Sequence, residues 1–289
     1  MPASEPSLAV HRALVLGALH GPAELMPISS SAHVAVVPYL LGWDYAEADA
    51  DLRKAFEIAL HAGTAVALLI GLRDEVAGEL SDRSPAHFAR VVVASLPAAL
   101  VGFALEGPIE RRLGTPATIP LGMILGALAM GWADRSPRER AETEAGLADA
   151  VWLGIAQACA LMPGVSRNGA TLTAARRRRF RRVDANRLSR HVALPVIAGA
   201  TLLKTARLAR RTRSPIRGQA GTGGLPAGAA GPFAAGTAAS FASTLVSTRV
   251  IRAVERDAPL TPYVVYRLIM AAAVLRRAAR SARSATIDS

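Results

Sequence analysis

The chain has almost no lysine: of its 34 basic residues only Lys54 and Lys204 are lysines, and the rest are arginines. Aromatic residues are scarce at 4%, and Cys159 is the only cysteine. A lone cysteine excludes an intramolecular disulfide and leaves the redox compartment unmarked. Residues 1–6 carry no basic segment and no small-residue cleavage site, so no removable signal peptide is expected. What is plentiful is apolar: 51% of the 289 residues are hydrophobic. They gather in blocks near the length that spans a bilayer, separated by arginine-rich stretches. A net charge of +12 ordinarily points to nucleic acid. Here the arginines cluster at the ends of apolar blocks, where they meet lipid phosphates, so the expectation is a membrane and no nucleic acid. The pattern predicts an all-α integral membrane protein, a polytopic helical bundle forming one domain over residues 1–289.

In chain order, residues 8–19 read as a short apolar helix. Pro22 and Pro27 then interrupt it, since proline removes a backbone donor and clashes with the preceding turn; a continuous helix through 21–28 is not expected. Residues 24–41 read as re-entrant, because broken backbone at membrane depth survives only where protein or a wet cavity satisfies it. Residues 44–54 and 73–84 read as polar loops, and 55–72, 87–105 and 119–133 as spans. Residues 108–115 read as a turn and 134–149 as a solvated loop. Residues 150–162 repeat the opening helix and end at Pro163-Gly164. Arginine-rich 176–190 is expected in water or at headgroups. Spans follow at 194–208, 225–246 and 262–275, with a Gly-rich loop at 210–224 and a frayed basic tail at 276–289. The two broken segments share Leu-Met-Pro followed by hydroxyl residues, at an offset of about 136 residues. That weak internal symmetry suggests two repeats, about 8–133 and about 150–275.

The polar residues of these breaks carry the chemistry. Glu24, Ser29, Ser30, Ser31 and His33 lie around the first. Ser166, Arg167, Asn168 and Thr171 lie around the second. An ionisable group at membrane depth costs several kcal/mol unless paired or wetted, so Glu24 and His33 call for a cavity. Arg167 is the available counter-charge, and its planar fork of donors matches phosphate oxygens. A helix beginning near Ala170 would add its positive end. Such a set suits phosphoryl transfer: a serine attacks or positions water, a histidine moves a proton, a carboxylate holds a divalent ion, and the arginine stabilises charge. Glu57 and His61 stand at helical i, i+4 spacing, which also arises in self-satisfied helix pairs.

Residues 24–33 (Glu-Leu-Met-Pro-Ile-Ser-Ser-Ser-Ala-His) and 163–171 (Pro-Gly-Val-Ser-Arg-Asn-Gly-Ala-Thr) resemble the two signature motifs of the undecaprenyl-diphosphate phosphatase family of the bacitracin-resistance type. Residues 56–64 and 262–267 resemble two further segments of that family, so the likeness covers nearly the whole chain in order. The resemblance implies inverted repeats with two re-entrant helix pairs in the plasma membrane. It implies removal of the terminal phosphate from a C55 polyprenyl diphosphate, which recycles the lipid carrier for cell-wall synthesis and bears on bacitracin resistance. It also implies a divalent metal, Mg or Ca. On that mapping Ser30 falls at the candidate nucleophile, Glu24 at the second acid, His33 at the histidine and Arg167 at the phosphate-binding arginine. Ser29, Ser31, Ser166, Asn168 and Thr171 are the other candidate phosphate contacts; Glu24 and His20 are the candidate metal ligands, with Glu57 and His61 secondary. A homodimer is carried forward as an expectation.

Three departures stand out. The family usually has Glu or Gln where His20 stands, which removes a fixed charge while keeping a ligand atom. Asn168 replaces a common serine. Residues 187–195 carry Arg190 and His191 in place of an aromatic-rich apolar run, which either shortens that helix's buried part or turns charge toward the cavity. These departures keep two rivals in view: a polyprenyl-phosphate flippase and a catalytically weakened paralogue. Lipid translocation without phosphate release would mark the first, and a large gain of turnover in His20→Glu the second.

Overall fold

The computed structural model describes residues 8–115, 117–213, 228–254 and 258–287. Among the described residues the protein is all-helical, with eleven α-helices, two short 3-10 turns and no strand beyond an isolated bridge between Arg140 and Phe180. In order these are α1 (Val10–Leu25), α2 (Ser30–Leu41), α3 (Ala50–Gly71), α4 (Arg73–Ser81), α5 (Pro85–Leu113), α6 (Ile119–Asp134), α7 (Leu147–Cys159), α8 (Arg167–Arg177), α9 (Arg182–Arg213), α10 (Ala230–Val254) and α11 (Thr261–Ile287).

Among the described residues two helices are long and apolar enough to cross a membrane, Ala50–Gly71 and Pro85–Leu105. The second is only 11% buried and leaves Phe88, Leu96, Leu100 and Phe103 exposed. A contiguous apolar face of that size is not left to water in a stable monomer. It fits a helix that lipid covers.

The packing has a paired pattern. α1 lies on α10 as α7 lies on α5, and α3 lies on α10 as α9 lies on α5. α2 touches α11, α8 touches α6, and α6 packs on α11. The close α1–α10 and α7–α5 contacts use glycine at matching places. A Cβ on Gly17 would sit 2.2 Å from the Gly236 carbonyl oxygen, and one on Gly154 would sit 2.9 Å from that of Val93. Small residues allow such backbone approach where no water drives helices together.

Several boundaries differ from the sequence reading. α1 continues through Pro22, and the break comes at 26–29. One proline removes one bond, and packing on α10 holds the turn. The same holds for α5, which runs through Pro97 and Pro108 to Leu113, so 108–113 is helix rather than turn. Residues 73–81 are helical, and α3 starts at Ala50, where the Asp49 carboxylate accepts from the amides of Asp51 and Leu52. The tail is helical to Ile287 rather than frayed. α8 begins at Arg167, three residues before Ala170. Arg176 is not solvated: it is fully buried, and its guanidinium donates to carbonyls of Asp134, Ser136 and Phe180. Residues 214–224 of the Gly-rich loop, 225–227 of the following segment and residues 1–6 lie outside the described residues.

Candidate active site

Two helix starts build the site. Pro27 and Pro163 stop α1 and α7 from running on, and the chain re-enters a helix three residues after the first and four after the second, each time through a serine cap. Ser29 caps α2 with φ +74°, its hydroxyl accepting from the Ala32 amide at 3.4 Å. Ser166 caps α8 with φ +68°, accepting from the Gly169 amide at 3.2 Å. Both are non-glycine residues in the left-handed region, a conformation that surrounding structure has to hold. Arg267 of α11 supplies that hold. It is fully buried, and its guanidinium donates to the carbonyls of Pro27 (3.1 Å), Gly164 (2.9 Å) and Val165 (2.9 Å), with Gly122 at 3.4 Å. A single side chain thus ties both breaks together.

The caps place Ser30 and Arg167 at the first positions of α2 and α8, facing one carboxylate. Glu24, in the last turn of α1 and with 5% of its side chain exposed, accepts from the Ser30 hydroxyl on Oε2 and from Arg167 Nη2 on Oε1. Its neighbour on α3 is His61, whose Nε2 lies 3.8 Å from Glu24 Oε2. The arrangement brings together a hydroxyl whose proton already points at a base, a cation with donors left over, and two helix N-termini whose first amides have no intrahelical partner. Chemically it can activate a serine and hold an anion.

His33 follows Ser30 by one turn but faces elsewhere. Its Nδ1 lies 2.7 Å from the Ser29 carbonyl, which only accepts, so Nδ1 carries the proton. Its Nε2 accepts from the Tyr266 hydroxyl at 2.6 Å, and the two rings are parallel. Asn168 donates to the Leu25 carbonyl and accepts from Ser189, tying α8 to the end of α1. Thr171 is fully buried and donates to carbonyls of its own helix. Ser31 lies 3.4 Å from the Ser29 hydroxyl. Glu57 enters through its main chain, whose carbonyl accepts from His61 Nδ1 at 2.9 Å.

The site residues fit a divalent cation. One ring nitrogen each of His20 and His61 and a Glu24 oxygen all lie within 4.8 Å of one another. His20 is fully buried, and its Nε2 has no hydrogen-bond partner. A buried polar atom without a partner calls for an explanation, an unplaced ion among them. Glu57 contributes no side-chain atom to that trio.

The model of the family described as Bacitracin resistance protein BacA matches residues 13–273. The chain belongs to this family. It is 36% identical to the undecaprenyl-diphosphatase of Geobacter sulfurreducens over 282 residues, 92% of this chain and 97% of that protein. It is 36% identical to that of Pelobacter propionicus over 277 residues, 91% and 95% of the two chains. With that of Chromohalobacter salexigens the identity is 34% over 275 residues, 91% and 96%.

Within this BacA-family framework, Arg190 and His191 turn away from the Glu24 pocket. Arg190 Nε donates to Glu75 at 3.1 Å, and His191 Nδ1 meets Glu142 at 2.8 Å and Glu79 at 3.2 Å. The sequence reading missed Thr64, Ser189, Ser240, Tyr266 and Arg267 as site-building residues. Thr64, Tyr266 and Arg267 lie in the segments that resembled the family, and that was their only signal. Ser189 and Ser240 had none, because a serine in a helix reads the same whether it packs or supports a ligand.

Proposed function

We propose that this protein is a membrane phosphatase that hydrolyses undecaprenyl diphosphate, or a polyprenyl diphosphate of similar kind, to the monophosphate and inorganic phosphate. The reaction returns the lipid carrier to cell-wall synthesis and opposes bacitracin. The relatives' names and the family support the activity. The observation that carries the chemistry is the Ser30 hydroxyl donating to Glu24 while Arg167 holds the other oxygen of that carboxylate.

Ser30 Oγ attacks the terminal phosphorus as Glu24 takes its proton. The new O–P bond replaces the bridging P–O bond, and the polyprenyl monophosphate leaves. Glu24 passes that proton on to the departing monophosphate; water then attacks the phosphoserine while giving a proton to the freed carboxylate, and Glu24 returns this proton to Ser30 Oγ as inorganic phosphate departs. Arg167 keeps one arm on Glu24 and turns its remaining donors to the equatorial oxygens, where its fork stabilises the developing charge. The first amides of α2 and α8 face the same oxygens. Ser29 and Ser166 act by capping, Asn168 and Thr171 by fixing α8, Ser31 by lining the mouth, and His33 by positioning α2 through Tyr266. A divalent ion held by Glu24 and His20 would polarise a phosphoryl oxygen and offset the charge of a diphosphate beside a carboxylate.

The architecture that suits this reading is a multi-pass bundle in the plasma membrane, built as two inverted repeats whose α1–α2 and α7–α8 segments are re-entrant pairs. The swapped packing of α1 on α10 and α7 on α5 supports it. A homodimer belongs to the same proposal, and crosslinking in native membranes checks it. The activity test is phosphate release from a C55 diphosphate by purified protein in detergent. Ser30→Ala and Arg167→Ala are each expected to lower turnover by at least about 100-fold. Full activity in both variants removes the site; lipid translocation without phosphate release favours a flippase.

A further inference from the structure

The protons around His20 can be counted. Ser240 Oγ donates to the Leu60 carbonyl at 2.8 Å, and Thr244 Oγ1 donates to the Ser240 carbonyl at 2.7 Å. Ser240 Oγ is therefore left to accept from Thr64 Oγ1, which lies 2.7 Å away. The Thr64 oxygen in turn accepts from His20 Nδ1 at 2.9 Å. The chain of donors ends on a carbonyl, which fixes its direction: Nδ1 of His20 bears the proton and Nε2 bears the lone pair. His61 arrives at the same state from the other side, because its Nδ1 faces the Glu57 carbonyl at 2.9 Å and must donate. Two imidazole lone pairs and one carboxylate thus converge from α1 and α3. The two rings meet edge to face at 4.6 Å between centroids. Each ring is oriented by a hydrogen bond at the far nitrogen, the arrangement that steadies metal-binding histidines. With bonds of about 2.1 Å, tetrahedral ligand atoms sit roughly 3.4 Å apart. His61 Nε2 and Glu24 Oε2, at 3.8 Å, already approach that spacing.

We infer that His20, His61 and Glu24 bind a borderline divalent transition ion of the zinc type, and that the imidazole of His20 turns the site away from magnesium and calcium. Those two cations take oxygen ligands. Imidazole favours Zn, Co, Fe and Ni, and a set of two histidines and one carboxylate leaves positions open for water or a phosphoryl oxygen. An oxygen donor at position 20 would favour the hard cations instead. This inference rests on the proposed phosphatase only for its location beside Ser30; the binding itself is independent of turnover.

The test is Co(II) titration of chelator-treated protein in detergent, read by visible absorption and by competition with Zn(II), Mg(II) and Ca(II). Saturable binding with the intense bands of a low-coordinate Co(II) site is expected. Zn(II) should displace the cobalt, whereas Mg(II) and Ca(II) in large excess should not. His20→Ala and His61→Ala should each weaken binding by at least about 100-fold. His20→Glu puts an oxygen donor in place of the imidazole and should move the preference toward Mg(II), which keeps the proposal falsifiable if the alanine variants fold poorly. Cobalt binding unchanged in all three variants overturns the inference, as does ready displacement by Mg(II) or Ca(II). Phosphate release measured on the same samples separates the two claims. Release supported by Mg(II) with no cobalt site sinks the metal assignment alone, and a cobalt site without phosphate release sinks the phosphatase alone.

Discussion

Arg267→Met probes the joint that holds the site together. The methionine keeps an unbranched apolar stem of similar reach and removes the guanidinium. Three carbonyls within 3.1 Å, those of Pro27, Gly164 and Val165, then lose a charged donor. A buried acceptor left unpaired costs about 1–3 kcal/mol, and carbonyls fall at the low end because each has a second lone pair. Three of them cost about 3–5 kcal/mol. Against this, the variant no longer desolvates a charge, and Arg267 Nε is buried without a partner even in the parent. That relief returns a part, so the net loss is about 3 kcal/mol, in line with breaking other buried ionic networks. At about 2 °C per kcal/mol for a chain of this size, Tm in detergent should fall by about 6 °C. The loss in turnover should be larger than the loss in stability suggests. Ser29 and Ser166 sit at positive φ next to the carbonyls concerned, and relaxation there moves Ser30 and Arg167 off Glu24; a shift of about 1 Å is worth about 100-fold. Arg267→Lys should recover part of both. The assays are thermal unfolding and phosphate release on one preparation. Parent-like Tm and turnover in Arg267→Met would refute the idea that this residue fastens the two breaks.

Two further predictions concern groups outside the spans expected from the sequence. Burial pushes the Asp149 carboxyl up, but hydrogen bonds from Arg140, the Gly146 amide and Arg178 outweigh it and hold the value at about 2. A folded value below the ordinary 3.8 means stability present above that value and lost as pH falls toward about 2. The loss amounts to about 2 kcal/mol at about 1.4 kcal/mol per unit; acid unfolding should shift in Asp149→Asn, and an unchanged acid transition would contradict the pairing. Burial pushes His191 down, yet the Glu142 hydrogen bond and the charges of Glu79, Glu142 and Glu75 raise it above its ordinary 6.5. The clasp between α9, α4 and the loop at Glu142, with Arg187 in the same pocket, is therefore fully formed below that pH. Its contribution is lost as pH rises through the folded value, so Tm should decline as pH is raised above about 6.5 in the parent and stay flatter in His191→Gln.

The parts of the site that were legible in the sequence are those written locally. Pro27 and Pro163 mark real breaks, and a serine two or three residues on marks a helix cap, because both effects act within one turn. Pro22 shows the limit of the same rule: a single missing bond is tolerated when a neighbouring helix packs against the turn, and no local signal announces α10. α4 read as a loop because Arg73–Ser81 buries no residue and so lacks the apolar stripe by which a helix is recognised. Arg176 read as solvated because its neighbours are arginines. Its burial depends on carbonyls of 134–136, about forty residues earlier. Tyr266 meets His33 across 233 residues, a pairing that only the folded chain reveals.

Ser30 and Arg167 occupy equivalent positions, each the first residue of a helix after a proline break and a serine cap. In the proposed reaction one is the nucleophile and the other the cation, so the two breaks share a backbone design and present different side chains. Glu24 is what makes the pair function together. Its two oxygens are spoken for at rest, one by the hydroxyl and one by the guanidinium, so the buried carboxylate is never left uncompensated, which low-dielectric surroundings would penalise heavily. In the proposed reaction an arriving diphosphate would compete for the guanidinium, and each donor it won would expose the carboxylate's charge. That charge would make Glu24 a stronger acceptor for the serine proton at the moment the phosphorus is in reach. A positive ion at His20 and His61 would then set how far the exchange proceeds, and for that reason the identity of the residue at position 20 would bear on turnover through charge balance as well as through ligand type.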